Sequence, residues 1–358
     1  MKIVILAGGG GTRLWPLSRV GSPKQAQPFL DSQTLLEHTW ARLRNGFSAS
    51  DIFVATTAAQ VKIIKKQLPE LLNGNLIIEP MARNTGPAVA LATLVINQSY
   101  PGEAVVTVNS DHYIKNEDQF IKVLKNGEKV IRKISNELIL FGIKPSYPEI
   151  GYGYIKLSKL ITKLSNQSIY QVGEFVEKPR INKAKRLLVG GRHLWNSGMF
   201  LFYPEILFKL LEVNCPLFYK NLKKIKLIKQ KNGAFTVSPS SYLKLDSKSF
   251  DYLLVEKLKN LAVMPMNIEW ADVGHFRTIY DILSVGKNSN VVKGKTISYN
   301  SRGNLIYSLS NKLIATVGVN DLVIVDTGDA MLVCHKDKTQ EVKQVVEEIK
   351  RQGLGRYL

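Results

Sequence analysis

The sequence has little of what a disulfide-stabilised or membrane-spanning protein needs. Its 358 residues include two cysteines, Cys215 and Cys334, which cannot form a disulfide framework and have no metal-ligating neighbour at short spacing. The apolar run at residues 3–7 is too short for a signal-peptide core, and no later stretch reaches the roughly 20 apolar residues of a membrane span. These absences predict a cytoplasmic protein with no membrane partner.

Acidic residues are also scarce, since 29 Asp and Glu face 49 Lys and Arg and the formal net charge is +20. A basic chain attracts polyanions such as nucleic acids. The lysines are nevertheless spread between Lys62 and Lys350, without the interleaved aromatic residues that stack on bases. We therefore expect no nucleic-acid partner, and a positive field that favours phosphorylated substrates.

The pattern of the first 140 residues alternates between β-rich runs and helical periodicity, which is typical of an α/β fold with a mostly parallel sheet. The predicted strands are residues 2–7, 51–55, 76–79, 104–109 and 138–142, and the predicted helices are 34–44, 58–67, 86–98 and 117–134. From residue 151 the pattern is mixed. We expect an open mixed, mostly parallel sheet flanked by helices.

After Gly286 the sequence pattern predicts short β-strands, followed by a helix over residues 339–351. No fixed-period repeat identifies a solenoid there. The length also exceeds that of most single-core domains. We therefore predict two domains, a large α/β domain over residues 1–285 and a small β-rich domain over residues 286–358.

A glycine-rich loop follows the first strand, reading GGGGTRLWPLSR at residues 8–19 and SPKQ at 22–25. Glycines let a backbone approach phosphates closely and turn its N–H groups toward them. The spacing fits neither a P-loop nor a dinucleotide-binding motif. It does carry Arg13 and Lys24 to the carboxyl edge of the first strand, where open α/β sheets bind ligands. A plain turn with two surface cations is the alternative.

Two aspartates are candidate metal ligands. Asp111 follows the strand predicted at residues 104–109, and Asp272 lies on a turn in EWADVG. Mg²⁺ prefers oxygen ligands and commonly takes one or two carboxylates together with substrate phosphates. Taken singly, each aspartate is better explained as a turn or cap residue. His112 is a ligand by type, although a packing role explains it better.

The glycine-rich string resembles the signature of the sugar nucleotidyltransferase family, and GTRLWPLSR followed by PKQ is similar to its mannose-1-phosphate guanylyltransferase branch. The resemblance implies that Arg13 and Lys24 stabilise departing pyrophosphate. It also implies that the loop binds the nucleotide through Ala7, Gly8, Gly9, Gly11 and Thr12. This chain departs from the usual PKQFL by reading PKQAQPFL.

Further motifs occur in the order of the same family. FVEKP at 175–179 resembles a hallmark in which Lys178 binds the sugar 1-phosphate and Glu177 the sugar hydroxyls. GYGYI at 151–155 and WNSGMF at 195–200 are similar to sugar-pocket segments and implicate Gly151 and Asn196. The stretch at 79–92 resembles the one beside the nucleotide and implicates Arg83, Asn84 and Thr85, although an N-capped helix start explains Asn84 and Thr85 equally well. SFDYLLVEK at 249–257 also resembles the guanylyltransferase branch. The paired aspartates Asp111 and Asp272 resemble the family's Mg²⁺ ligands.

The resemblance implies a Rossmann-like nucleotidyltransferase fold and guanylyl transfer from GTP to mannose 1-phosphate, giving GDP-mannose and pyrophosphate. It also implies a homodimer, because the family's small β-rich domain often supports dimerisation. No isomerase domain of the cupin type follows Leu358, so isomerase activity is not expected. Three alternatives stay open: UTP, dTTP or ATP with a glucose-type phosphate, a non-catalytic regulatory subunit, and a glycosyltransferase with a similar nucleotide half.

Overall fold

An eleven-stranded mixed sheet is the largest element of the computed structural model, which describes residues 1–19, 21–164, 167–286 and 288–358. The strands up to residue 272 are β1 (Lys2–Leu6), β2 (Ile52–Thr57), β3 (Leu76–Glu79), β4 (Val105–Asn109), β5 (His112–Ile114), β6 (Ile139–Ile143), β7 (Tyr154–Leu164), β8 (Gln167–Val176), β9 (His193–Phe202), β10 (Leu227–Lys229), β11 (Phe235–Val237), β12 (Ala262–Met266) and β13 (Trp270–Asp272). The sheet order is β10-β11-β3-β2-β1-β4-β9-β6-β12-β8-β7, and β5 pairs with β13 in a separate two-stranded sheet.

The part of the sheet formed by β11, β3, β2, β1 and β4 is parallel. Every residue of β1, β2 and β3 is buried, which explains why the sequence shows these strands as continuous apolar runs. Strand β9, which lies between β4 and β6, is antiparallel to both, and β10 is antiparallel to β11 at the opposite end of the sheet. The predicted open mixed sheet of an α/β fold is confirmed.

Helices follow most of these strands. They are α1 (Leu35–Arg44), α2 (Val61–Gln67), α3 (Thr85–Ser99), α4 (Glu117–Ile131), α5 (Ile181–Val189), α6 (Pro204–Asn214), α7 (Pro216–Leu222), α8 (Pro239–Tyr242), α9 (Phe250–Leu253) and α10 (Phe276–Leu283). Ten of the 15 residues of α3 are buried, so most of this helix is enclosed in the core. In the described parts of the chain, no helix combines the length and apolarity that crossing a bilayer requires.

The chain forms two compact units. Unit 1 comprises Met1–Gly8, Trp40–Ser110 and Ile114–Trp270, and unit 2 comprises Gly9–Thr39, Asp111–Tyr113 and Ala271–Leu358. Unit 1 has a core of buried side chains from the sheet and from α3, α6 and α7. Unit 2 contains most of the glycine-rich loop as well as the carboxyl-terminal β-rich segment. The domain boundary between residues 285 and 286 stays a prediction.

The β-rich segment of unit 2 consists of stacked short strands. These are β14 (Val291–Lys293), β15 (Thr296–Tyr299), β16 (Leu305–Ser308), β17 (Ile314–Val317), β18 (Leu322–Asp326) and β19 (Met331–His335), followed by helix α11 (Val342–Arg351). Strands β14, β16 and β18 are parallel neighbours, as are β15 and β17. Val291 faces Leu305, and Leu305 faces Val323, so successive coils differ in length by four residues (14 against 18). This unequal spacing explains why the sequence shows no fixed period.

Candidate functional site

The glycine-rich loop of unit 2 is tightly folded where it meets Lys24. Gly11 has a φ of +69°, in the left-handed region, and an added Cβ would lie 2.6 Å from both the Lys24 Cβ and the Ser18 Oγ. Only glycine fits this position. Gly9 and Gly10 are exposed with open space around them, and a short 3₁₀ helix, Thr12–Leu14, places Thr12 and Arg13 in solvent.

The ammonium group of Lys24 lies between two carboxylates. Its Nζ is 2.5 Å from Asp111 Oδ2 and 3.5 Å from Asp272 Oδ1, and it lies 3.4 Å from the carbonyl oxygen of Val273 as a hydrogen-bond donor. The Lys24 side chain is 13% exposed, so this cation is largely removed from solvent. The structure thus brings together three of the side chains that the sequence analysis selected as catalytic or metal-ligating.

Asp111 and Asp272 are 161 residues apart in sequence (272 minus 111), and a pair of three-residue strands joins them. Strand β5 begins directly after Asp111, and β13 ends at Asp272. The two strands pair with each other, and the backbone N–H of Val273 donates to the carbonyl of Asp111 at 3.1 Å. Local backbone pairing therefore sets the separation of the two carboxylates.

The donor set at this position fits a divalent cation. Asp111, His112 and Asp272 each offer one ligand atom, and these atoms all lie within 4.8 Å of one another. Lys24 contacts both carboxylates, which means that one cation is within reach of both. Carboxylate oxygens are hard ligands of the kind that Mg²⁺ prefers. The geometry supports a divalent-metal site, and the choice of Mg²⁺ stays a prediction.

Electrostatics within the cluster follow from partial burial and opposite charges. Burial acts to lower the pKa of Lys24, but the carboxylates of Asp111 and Asp272 outweigh it and raise that pKa. Burial acts to raise the pKa of Asp272, and the cations, above all Lys24, hold it below its ordinary value. His275 has a pKa lowered to about 4, first by burial and further by Arg13 and Lys24. Asp272 and Lys24 are therefore charged at neutral pH, and His275 is neutral.

In unit 1, Glu177 and Lys178 lie at the end of β8. Neighbouring residues of a regular strand point to opposite faces, so both side chains can meet only if the backbone twists. Lys178 has a φ of +43°, and its Nζ lies 2.5 Å from Glu177 Oε1. Burial alone would lower the pKa of Lys178. The neighbouring Glu177 carboxylate has the larger, opposite effect, so the pKa of Lys178 is raised above its ordinary value. The twist required for both side chains to face one ligand is present.

Asp251 is a neighbour of this pair that the sequence analysis did not select. It accepts a hydrogen bond of 2.7 Å from the Asn196 side-chain amide, and burial together with Glu177 raises its pKa to about 7. An added Cβ on Gly153 would lie 2.6 Å from Glu177 Oε2, so a side chain there would displace the Glu177 carboxylate. Gly151, two residues earlier, donates its N–H to Glu149. The signal was present in SFDYLLVEK at 249–257, which resembles the guanylyltransferase branch and contains Asp251.

Arg83, Asn84 and Thr85 all contact one segment, residues 245–250. Arg83 donates to the carbonyl of Leu245 at 2.7 Å and 3.1 Å, Asn84 donates to Ser247, and the Thr85 hydroxyl accepts from the N–H of Phe250. An added Cβ on the next residue, Gly86, would lie 2.7 Å from the carbonyl of Lys248, so a methyl group does not fit there. These side chains order a loop, and their contact with nucleotide stays a prediction.

Ala7 and Gly8 continue from β1 beside a buried acid in unit 1. The carbonyl of Ala7 accepts from the Thr56 hydroxyl at 2.9 Å, and an added Cβ on Gly8 would lie 3.0 Å from Glu79 Oε1. Glu79 is 3% exposed and accepts a hydrogen bond of 2.5 Å from the Tyr242 hydroxyl. Burial raises the pKa of Glu79 to about 7, and the Tyr242 hydroxyl opposes this. Glu79 was not among the site residues predicted from the sequence.

Comparison with known proteins identifies the family. A family model described as nucleotidyl transferase matches residues 2–285. The chain belongs to the nucleotidyl transferase family. A second model, described as the MannoseP isomerase/GMP-like beta-helix domain, matches residues 294–349, in agreement with the stacked parallel strands of unit 2.

Relatives within the nucleotidyl transferase family support the predicted branch. Mannose-1-phosphate guanylyltransferase 2 of Escherichia coli O157:H7 is 36% identical over 99% of this chain and 74% of its own length. The mannose-1-phosphate guanylyltransferase of Salmonella montevideo is 36% identical over 99% of this chain and 75% of its own length. A crystal structure from Thermus thermophilus, described as a mannose-1-phosphate geranyltransferase, is 28% identical with a TM-score of 0.84, covering 98% of this chain and 99% of that one. The resemblance drawn from LWPLSR and FVEKP is confirmed at the level of family and branch.

Proposed function

We propose that this chain transfers a guanylyl group from GTP to mannose 1-phosphate, forming GDP-mannose and pyrophosphate. The observation that carries the proposal is the Lys24 ammonium held by Asp111 and Asp272, since a cation and two metal-binding carboxylates are what phosphoryl chemistry requires. The names of the relatives, 36% identical over 99% of the chain, supply the substrates.

The nucleophile is a phosphate oxygen of mannose 1-phosphate, which is already anionic at neutral pH and needs no general base. This oxygen forms a bond to the α-phosphorus of GTP, and the bond from that phosphorus to the oxygen bridging to the β-phosphate breaks. The electron pair and negative charge leave with pyrophosphate. Catalysis then depends on alignment and on stabilising charge at the phosphates.

Cationic side chains have separate roles in this reaction. Arg13 and Lys24 offset the charge of the departing pyrophosphate, and Lys178 holds the phosphate of mannose 1-phosphate. Asp111 and Asp272 would hold Mg²⁺, which when bound supplies positive charge to the phosphate oxygens. Lys24 contacts both aspartates, so its ammonium and the metal would share the same two carboxylates.

The remaining predicted residues bind the two substrates. Glu177 and Asn196 accept from and donate to sugar hydroxyls, and Gly151 lines the same part of the sugar. Backbone N–H groups of the loop contact the triphosphate at Gly8, Gly9, Gly11 and Thr12, with Ala7 beside the base. Arg83, Asn84 and Thr85 order the segment against which the nucleotide lies. A homodimer is part of the same proposal and rests on the family resemblance, whereas the cytoplasmic location rests on the cysteine count and the short apolar runs of the sequence.

The test measures pyrophosphate release from GTP, ATP, UTP and dTTP, each with mannose 1-phosphate or glucose 1-phosphate, with and without Mg²⁺. Release confined to GTP, mannose 1-phosphate and Mg²⁺ is the expected result. Release with another pair of nucleoside triphosphate and sugar 1-phosphate would support nucleotidyl transfer but assign it to different substrates. Absence of release with every pair, from folded protein, would favour a regulatory subunit.

A further inference from the structure

Arg19, in the LWPLSR string that distinguishes this branch, has no role in the chemistry proposed above, yet it is firmly bound. Its guanidinium forms a bidentate pair with Asp329, Nη1 to Oδ2 at 2.7 Å and Nη2 to Oδ1 at 2.8 Å. It also donates to the Thr327 hydroxyl at 3.1 Å and to the Pro16 carbonyl at 3.0 Å. Such a planar fork fixes direction as well as distance, which lysine cannot do.

The acceptor of this fork is itself held in place. Asp329 lies on the turn between β18 and β19, where the N–H of Thr327 donates to the carbonyl of Ala330 at 3.0 Å. The Thr327 hydroxyl donates to Asp329 Oδ1 at 3.0 Å, and Gly328 takes a φ of +89°. The β-rich segment therefore presents Asp329 in one orientation to the loop.

Two more attachments hold the same loop segment, residues 9–30. The indole N–H of Trp15 donates to the carbonyl of Tyr357 at 2.7 Å. The carbonyl of Pro28 accepts from Lys293 Nζ at 2.8 Å and from the Tyr307 hydroxyl at 2.9 Å. Leu14, Trp15, Leu17 and Phe29 are buried in one cluster with side chains of β16, β18 and α11. The attachments lie on either side of Lys24 in sequence.

A short path of contacts connects Arg19 to Lys24. Ser18, the preceding residue, donates its hydroxyl to the carbonyl of Gly10 at 2.9 Å. Gly11 packs so closely against Ser18 Oγ and Lys24 Cβ that no Cβ fits between them. Movement of residues 18–19 is therefore passed to the position of the Lys24 side chain, and displacements of about 1 Å can cost roughly 100-fold in rate.

We propose that the β-rich segment, residues 291–358, is a positioning scaffold for the loop segment, and that Arg19 and Asp329 are its positioning pair. They act through Ser18 and Gly11 to set where Lys24 and Arg13 lie, and touch no substrate themselves. The catalytic part of this inference rests on the proposed function, whereas the structural part does not.

The test compares Arg19→Ala, Asp329→Ala, the double variant and wild type, in the full chain. The matched control is Arg351→Ala, which removes an Arg–carboxylate pair from α11, where Arg351 contacts Glu348 at 2.6 Å on an exposed surface. Hydrogen exchange followed by mass spectrometry reports on backbone amides of residues 9–30. Steady-state kinetics report kcat and both KM values.

We expect Arg19→Ala and Asp329→Ala each to speed exchange in residues 9–30 by about tenfold and to lower kcat by about 10- to 100-fold. The KM for mannose 1-phosphate should change less than about twofold, and the double variant should be no worse than either single variant, because the pair acts as one unit. Arg351→Ala should match wild type in both measurements.

Unchanged exchange in residues 9–30 of folded Arg19→Ala would overturn the scaffold. Unchanged kcat with faster exchange would overturn the positioning role. If Arg19→Ala does not fold, Asp329→Asn, which keeps the size and one acceptor oxygen, answers the same question. A wild-type protein that transfers no nucleotide would contradict the proposed function. The hydrogen-exchange rates of residues 9–30 would then still decide whether the β-rich segment is a scaffold for the loop segment.

Discussion

Replacing Glu79 with glutamine should remove a pH-dependent loss of stability. Burial raises the pKa of Glu79 from its ordinary 4.5 to about 7, so the folded protein holds this proton to higher pH than the unfolded chain does. Between those two values the folded state binds more protons. The free energy of unfolding contributed by this group therefore falls as the pH rises through the window, and stays low above it.

The size of this stability change follows from the difference between the pKa values of Glu79 in the unfolded and folded protein. At about 1.4 kcal/mol for each pH unit, the difference between 4.5 and about 7 corresponds to about 3 kcal/mol. Glutamine keeps the carbonyl that accepts from Tyr242 but does not titrate. The hydrogen bond from Tyr242 should therefore contribute similarly to the free energy of unfolding of both proteins. The part of the stability difference that varies with pH then reports on the Glu79 carboxyl group alone.

Urea unfolding of wild type and Glu79→Gln at several values between pH 4.5 and pH 8 measures this. Wild-type stability minus variant stability should fall by about 3 kcal/mol across the range. Glu212→Gln, at an exposed position on α6, is the control and should give a difference within about 0.5 kcal/mol throughout. A Glu79→Gln difference that is flat with pH would refute the raised pKa and with it the buried, protonated carboxyl.

Three further predictions concern the candidate site. Lys24→Ala should cost about 3–4 kcal/mol of transition-state stabilisation with the fold intact, measured as kcat/KM beside circular dichroism, and near-wild-type turnover would remove Lys24 from the chemistry. Asp251→Ala should raise the KM for mannose 1-phosphate about tenfold, because the Asn196 amide loses its acceptor, with the KM for GTP unchanged and Asp251→Asn largely restoring the value. Equal changes in both KM values would argue against that local role. Gly11→Ala should lower stability by at least about 1–2 kcal/mol in urea unfolding, since its φ is +69° and the methyl would meet Ser18 Oγ, and an unchanged midpoint would contradict the strain.

Much of the sheet was predictable because its central strands are buried on both faces. The run at residues 76–79 coincides with β3, and those at 2–7 and 104–109 differ from β1 and β4 by one residue. Such strands are continuous apolar runs, which sequence reading detects well. The helix predicted at residues 117–134 was less accurate at its end, since α4 ends at Ile131.

The arrangement of the site could be predicted only in part. The proximity of Asp111 and Asp272 depends on β5 and β13, which are three residues long and too short for any periodicity. The contacts of Arg83 go to a backbone carbonyl, and main-chain acceptors carry no signal in side-chain identity. The stacked strands of the β-rich segment could not be recognised from a repeat in the sequence, because successive coils have unequal lengths.

The most direct test of the account is the Asp111→Ala variant, assayed for pyrophosphate release from GTP and mannose 1-phosphate and for Mn²⁺ binding by electron paramagnetic resonance. The control is Asp118→Ala, at an exposed aspartate in the first turn of α4. We predict a folded protein whose kcat falls by about 1,000-fold and whose metal affinity falls by at least about tenfold, with the control like wild type. A folded Asp111→Ala variant with wild-type turnover and wild-type Mn²⁺ affinity would contradict the account.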